Sequence, residues 1–150
     1  MPETDCDLCA SGVRARTTTL DFESYDCPRC GALRLNRNAI AILPNLRKRA
    51  NEAKIDAVSH WARRRAGTKG TFLTVTGDDA TRWFQEAALA TPMEQVRNLM
   101  IWLGSHREAG CDPAMDVETT TEELASIVGG RSKKRIHGVP DPPSCLTRLG

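Results

Sequence analysis

Cys6 with Cys9, and Cys27 with Cys30, form two Cys-x-x-Cys pairs separated by 17 residues. A two-residue gap lets one tight turn aim two sulfurs at one metal, and four soft thiolates suit a tetrahedral Zn²⁺. The second pair lies in Cys27-Pro28-Arg29-Cys30-Gly31, the composition of a zinc knuckle. The expected cofactor is therefore one structural Zn²⁺ on Cys6, Cys9, Cys27 and Cys30. Four thiolates close the coordination sphere and leave no position for a catalytic water. The ion is expected to build a fold and do no chemistry.

Other reactive residues are poorly placed for catalysis. His106 and Cys111, and then His137 and Cys145, are soft donors without a second Cys-x-x-Cys, so their spacing does not define another metal site. There is no Gly-x-Ser-x-Gly, phosphate loop or His-Glu-x-x-His. No His-x-Glu precedes a Cys-x-x-Cys, which removes the zinc deaminases. Asp78 and Asp79 read as helix-capping acids, and His60 as a helix residue near the core edge without a catalytic partner.

Charge is uneven along the chain. The formal net charge is +2, yet residues 31–70 hold ten Lys/Arg against Glu52 and Asp56. Residues 71–130 reverse this, with ten acids against Arg82, Arg97 and Arg107. Phosphate binding needs several cations on one face. Arg47, Lys48, Arg49, Lys54, Arg63, Arg64 and Arg65 lie off the apolar stripe of their segment and are the candidate nucleic-acid contacts. A solvated helix face is the alternative.

The elements that must position these residues follow from periodicity. Val13–Leu20 and Glu23–Asp26 read as strands between the knuckles, and Gly31–Leu35 as a third strand, which makes a zinc ribbon. Leu46, Ala50, Ala53, Ala57 and Trp61 step by three and four, predicting one long helix over 45–66, with a break or new first turn at Pro44. Phe72–Thr76 reads as a short strand or extended link. Ala80, Trp83, Phe84, Ala87 and Ala88 share one face of a helix capped by Asp78 or Asp79. Thr91-Pro92-Met93-Glu94 is a capping box opening a helix whose Val96, Leu99, Met100 and Leu103 form its packed face. Thr120 with Glu123 opens a short helix that stops at Gly129-Gly130. Residues 91–130 thus read like the first two helices of a winged helix-turn-helix, although Gly138 and Pro140 would cut a recognition helix short.

Cys6-x-x-Cys9, Tyr25-Asp26-Cys27-Pro28-Arg29-Cys30-Gly31, Ser59-His60-Trp61-Ala62-Arg63 and Thr91-Pro92-x-Glu94 together resemble an accessory region of bacterial multidomain proteins. That region is an N-terminal zinc ribbon followed by a winged-helix-like segment. It precedes effector domains, such as Toll/interleukin-1-receptor-like domains, in proteins linked to defence against phage. The resemblance implies a sensing or scaffolding module whose catalytic partner lies elsewhere.

The expected fold class is α+β: a small four-cysteine zinc ribbon with a short antiparallel sheet, attached to a bundle of about four helices. Residues 1–37 would be the ribbon, 38–130 the helical domain and 131–150 an irregular basic, proline-rich tail. The expected function is a non-enzymatic module contacting nucleic acid through a basic helix. The alternative is a protein-interaction or oligomerisation module, with Trp83, Phe84 and Trp102 feeding an exposed apolar patch. A metal-dependent nuclease ranks below both, because the ligand set is closed. The acidic N-terminus has no apolar leader and the run Leu99–Leu103 is too short to span a bilayer. Together with paired Cys-x-x-Cys knuckles, which suit thiols that bind metal instead of forming disulfides, this gives a cytoplasmic expectation, with no membrane partner and no small-molecule substrate.

Overall fold

The protein's structure, a computed structural model, describes residues 5–66, 71–106 and 121–131. It is α+β, with one four-stranded sheet and five helices among the described residues. In chain order these are β1 (Arg14–Thr18), β2 (Phe22–Cys27), β3 (Gly31–Asn36), α1 (Arg37–Arg49), α2 (Glu52–Arg65), β4 (Leu73–Val75), α3 (Gly77–Glu86), α4 (Pro92–His106) and α5 (Thr121–Val128).

β1, β2 and β3 form the expected antiparallel meander, with Ser24 opposite Arg34 and Cys27 opposite Gly31. Side chains alternate across a strand, so Tyr25, Cys27, Leu33 and Leu35 all point inward and are buried. β4 extends this sheet on the β3 side, parallel to β3, with Arg34 beside Thr74 and Leu35 beside Val75. A parallel neighbour needs a long crossover, which α1 and α2 provide.

The predicted single helix over 45–66 is two helices. α1 begins at Asn36, whose side chain accepts from the Ala39 amide at 2.8 Å, and runs on through Pro44. Pro44 is exposed, so water can satisfy the carbonyl that the missing N–H leaves free. The break comes at Ala50, which is extended. Asn51 then caps α2 by accepting from the Lys54 amide at 2.8 Å. A side-chain oxygen at the N-cap satisfies an amide that has no partner within the helix.

One apolar core joins these elements. Leu33, Leu35 and Val75 of the sheet pack with Ala39, Leu43, Ala57, Val58, Ala62, Ala80 and Trp83, and the four cysteines belong to the same cluster. Trp83 and Phe84 are core residues, 3 % and 9 % exposed, and so cannot feed the surface patch expected of them. The cap of α3 is Thr76, with Asp79 as the reciprocal partner of its capping box, in place of Asp78 or Asp79. Ala88 lies beyond the helix end and is exposed.

α4 opens with the expected capping box, in which Thr91 accepts from the Glu94 amide and Glu94 accepts from the Thr91 amide at 2.7 Å. Its packing is the reverse of the expectation. Gln95 Nε2 donates to Ala90 O at 2.8 Å and Asn98 Nδ2 to Val128 O at 3.1 Å, so the polar edge faces the body. Met93, Val96 and Met100 are 78 %, 57 % and 64 % exposed. Thr120 lies outside the described residues, as do Arg131–His137 beyond Arg131 and the tail. No helix of the described residues is long and apolar enough to cross a membrane.

Candidate metal centre

The two knuckles meet because each is built into the end of the sheet. The second is the three-residue loop of the β2–β3 hairpin, with Cys27 ending β2 and Gly31 starting β3. Gly31 has φ +87°, and a Cβ there would lie 2.6 Å from Ala66 Cβ, so only glycine fits. The first knuckle closes in the same way. The Ala10 amide donates to Cys6 O at 2.8 Å, the Cys6 amide donates to Ser11 O at 2.8 Å, and Ala10 has φ 60°. Each Cys-x-x-Cys is therefore followed at once by a left-handed residue that turns the chain away.

Cys6, Cys9, Cys27 and Cys30 are all buried, and their sulfurs lie within 4.8 Å of one another. Cys6 Sγ is 3.9 Å from Cys30 Sγ, and Cys9 Sγ is 3.6 Å from Cys27 Sγ. Tetrahedral thiolates bonded at roughly 2.3 Å stand about 3.8 Å apart, so the sulfur cage has the size a metal requires. The four residues fit a metal site. All four are free thiols, at separations too long for disulfides.

The four thiols are unequal. The hydrogen bond from the Cys27 thiol holds Cys9 well below the usual range, helped by Cys30 and Cys6. The hydrogen bonds to Cys27 push Cys6 and Cys30 up, and burial adds to this. Binding a cation needs all four as thiolates, so it releases protons from those still protonated, Cys6 and Cys30 among them.

A polar shell supports each knuckle. Behind the first, the Asp7 amide donates to Tyr25 Oη at 3.1 Å and Tyr25 Oη donates to Asp7 Oδ2 at 3.2 Å. Arg16 pairs with Asp7 at 3.2 Å and with Glu23, and lies 5.2 Å over the Tyr25 ring. Burial, followed by the Cys6 and Asp7 charges, pushes the Tyr25 hydroxyl far above its usual value, so it stays a hydrogen donor. Behind the second knuckle, Arg29 Nη2 pairs with Asp56 Oδ1 at 2.6 Å and Nε donates to Ser126 Oγ at 3.4 Å. Burial pulls the Arg29 guanidinium down, but Cys9, Cys30 and Asp56 more than offset it and keep the charge. Sequence reasoning missed Tyr25, Arg29 and Asp56. Their one signal was position, since Tyr25 alternates with Cys27 and Arg29 lies inside the knuckle.

The seven basic candidates have different roles. Arg47 Nη1 donates to Cys6 O at 2.9 Å, closing the first knuckle from α1. Arg63 Nη1 donates to Pro28 O at 3.0 Å and Nη2 pairs with Glu123 at 2.9 Å, tying the second knuckle to α5. Lys54 Nζ donates to Ala87 O at 2.6 Å and so caps α3. Arg65 lies 4.7 Å over the Trp61 ring. Lys48, Arg49 and Arg64 are exposed and have no ion-pair partner among the described residues. They occupy the last turns of two helices, so no single basic helix presents all seven.

His60 is buried, with Nδ1 2.7 Å from Ser126 O, and has no catalytic neighbour among the described residues. Cys111, His137 and Cys145 lie outside the described residues, as does the His106 side chain. No family model, no curated protein and no solved structure matches this chain.

Proposed function

We propose that the protein is a zinc-built, non-enzymatic binding module whose ligand is nucleic acid. The observation that carries the first half is the buried cage of four sulfurs on Cys6, Cys9, Cys27 and Cys30. Soft thiolates in a tetrahedron favour zinc, and a four-thiolate shell holds the ion without an open position for a reacting water. The ion then serves the fold, holding two knuckles against α1, α2 and α5 through Arg47, Arg29 and Arg63. The second half is supported by Lys48, Arg49 and Arg64, exposed cations without an ion-pair partner among the described residues. Cations of this kind contact phosphates, which gives affinity that falls with salt.

Metal analysis should give one zinc per chain, lost in Cys27→Ala/Cys30→Ala. Protein prepared without chelators that holds no zinc overturns the first half. Substituting Lys48, Arg49 and Arg64 by Ala should weaken nucleic-acid binding and flatten its dependence on salt. Arg63 is left intact in this test because its loss would disturb the second knuckle. Absence of any binding at low salt overturns the second half.

A second reading, a protein-interaction module of the kind that accompanies bacterial effector domains, rests on α4. Its exposed Met93, Val96 and Met100 follow a 3, 4 spacing suited to a partner helix. Self-association or effector binding lost in Val96→Asp/Met100→Asp would favour that reading.

A further inference from the structure

Among the described residues, the sheet is buried on one face and open on the other. β2 and β3 alternate, so Tyr25, Cys27, Leu33 and Leu35 turn inward while Ser24, Asp26 and Arg34 turn outward. The outward residues are ordered across the strands. Thr17 is in register with Ser24, Ser24 with Arg34, and Arg34 with Thr74, which sets a row of hydroxyls and one guanidinium across all four strands. Arg34 Nε donates to Ser24 Oγ at 3.4 Å, which keeps the guanidinium over this row.

A second line crosses the first at Arg34. Phe22 is in register with Asn36, two residues beyond Arg34 along β3, and Phe72 precedes Leu73, which is in register with Leu33. The two rings therefore flank Arg34 on opposite diagonals. The Arg34 guanidinium carbon lies 5.9 Å from the Phe22 ring centre and 5.6 Å from that of Phe72. Phe72 is 37 % exposed although it gains nothing from water. Neither ring belongs to the core cluster, and the core-facing role of the sheet explains neither. Phe22 of β2 and Phe72, just before β4, thus lie on either side of Arg34 of β3, on a face whose hydroxyls can donate and accept. The one acid on this face of the paired strands, Asp26, is in register with Arg14, so the face keeps a positive balance.

We propose that this open sheet face binds single-stranded nucleic acid, with bases stacking on Phe22 and Phe72 and Arg34 between them contacting base planes and phosphate. The inference rests on the nucleic-acid reading above and specifies the strand state and the surface. Aromatic faces and guanidinium planes accept any unpaired base, whereas a duplex keeps its bases stacked on one another. The Ser24, Thr74 and Thr17 hydroxyls supply hydrogen bonds to base edges or sugars without fixing a sequence.

The test uses the zinc-loaded full chain, with labelled oligo(U) and oligo(dT) dodecamers and a duplex of equal length as probes. Single strands should bind more tightly than duplex. Phe22→Ala and Phe72→Ala should each weaken single-strand binding roughly 5- to 150-fold, the loss of one stacked base. Phe72→Leu keeps apolar bulk but has no ring face, and should lose nearly as much, so a folding defect in Phe22→Ala does not decide the matter. Zinc content and melting temperature check each variant. Equal binding of duplex and single strand, insensitive to the phenylalanines but abolished by the Lys48/Arg49/Arg64 substitutions, overturns the sheet inference and leaves the broader reading intact. No nucleic-acid binding, with self-association that disappears in Phe72→Ala, overturns both.

Discussion

Arg29, inside the second knuckle, pairs with Asp56 of α2 at 2.6 Å, and both side chains are buried. The pair joins the metal centre to the helix beneath it. Ser126 of α5 takes the Arg29 Nε at 3.4 Å, so three parts of the fold meet at one guanidinium.

Removing one member of a buried pair leaves an uncompensated charge, which costs more than the pair contributes. Asp56→Ala is expected to destabilise the metal-loaded protein by about 3–5 kcal/mol. The double substitution Arg29→Met/Asp56→Leu should recover much of that loss, because no isolated charge remains. Urea unfolding of the variants checks this. Equal losses in the single and double variants would show that shape, not charge, holds the junction.

Metal loss should not be confined to the ribbon. The cysteines share one core with Leu43, Val58 and Trp83, and Arg47 and Arg63 bond knuckle carbonyls from α1 and α2. Chelation is expected to reduce the helical circular-dichroism signal together with the sheet signal, in one transition. If the ion is zinc, as proposed, its loss removes on the order of 10 kcal/mol, the contribution of structural zinc in small domains, which is enough to unfold this one. Full retention of helix in metal-free protein would contradict the shared core.

His60 gives the protein a distinct acid sensitivity. Burial lowers its pKa from 6.5, while the Ser126 carbonyl and Glu94 push it up and Arg64 lowers it. The unfolded chain then binds more protons than the folded one just below the ordinary value. Stability from the neutral ring is full above 6.5 and is lost as pH falls below it. Thiolate protonation weakens metal binding over acidic pH as well, so the wild-type curve alone does not isolate the histidine. The difference between wild type and His60→Gln does, and it should narrow on acidification. A difference that does not change with pH would exclude this role.

The parts legible in the sequence were those set by local spacing. Two-residue gaps between cysteines and two-residue alternation in β2 and β3 depend only on neighbours, so the knuckles and the hairpin could be read directly. The break at Ala50 was hidden because the apolar steps from Leu46 to Trp61 continue through it. The cue was Asn51, a capping residue in mid-stripe. The parallel pairing of β4 with β3 depends on a distant segment and leaves no local mark. On α4, periodicity showed that an apolar face exists but not which face its neighbour takes. Gln95 and Asn98 won that side because Ala90 and Val128 carbonyls needed donors. Composition likewise counted Arg47, Lys54 and Arg63 as free cations, when backbone carbonyls already hold them.

The two knuckles also make a matched pair of opposite substitutions. Gly31 follows Cys30 at φ +87°, and Ala10 follows Cys9 at φ 60°. The left-handed region suits glycine and costs another L-residue roughly 1–2 kcal/mol. Ala10 is exposed, so its methyl group contributes little packing in return. Ala10→Gly relieves that strain, but it also frees the unfolded chain, which offsets roughly 0.5–1 kcal/mol of the gain. The net expectation is a more stable protein, by up to about 1 kcal/mol, with unchanged zinc content. Gly31→Ala runs the other way. It places a side chain at an unfavourable φ, with Cβ 2.6 Å from Ala66 Cβ, so the C-terminal end of α2 must shift. A loss of more than about 1 kcal/mol is expected, with faster zinc release to a competing chelator. Thermal melts and chelator kinetics on the two variants measure both effects. If Ala10→Gly lowers stability, the left-handed turn at the first knuckle is not strained, and the equivalence of the two knuckles fails.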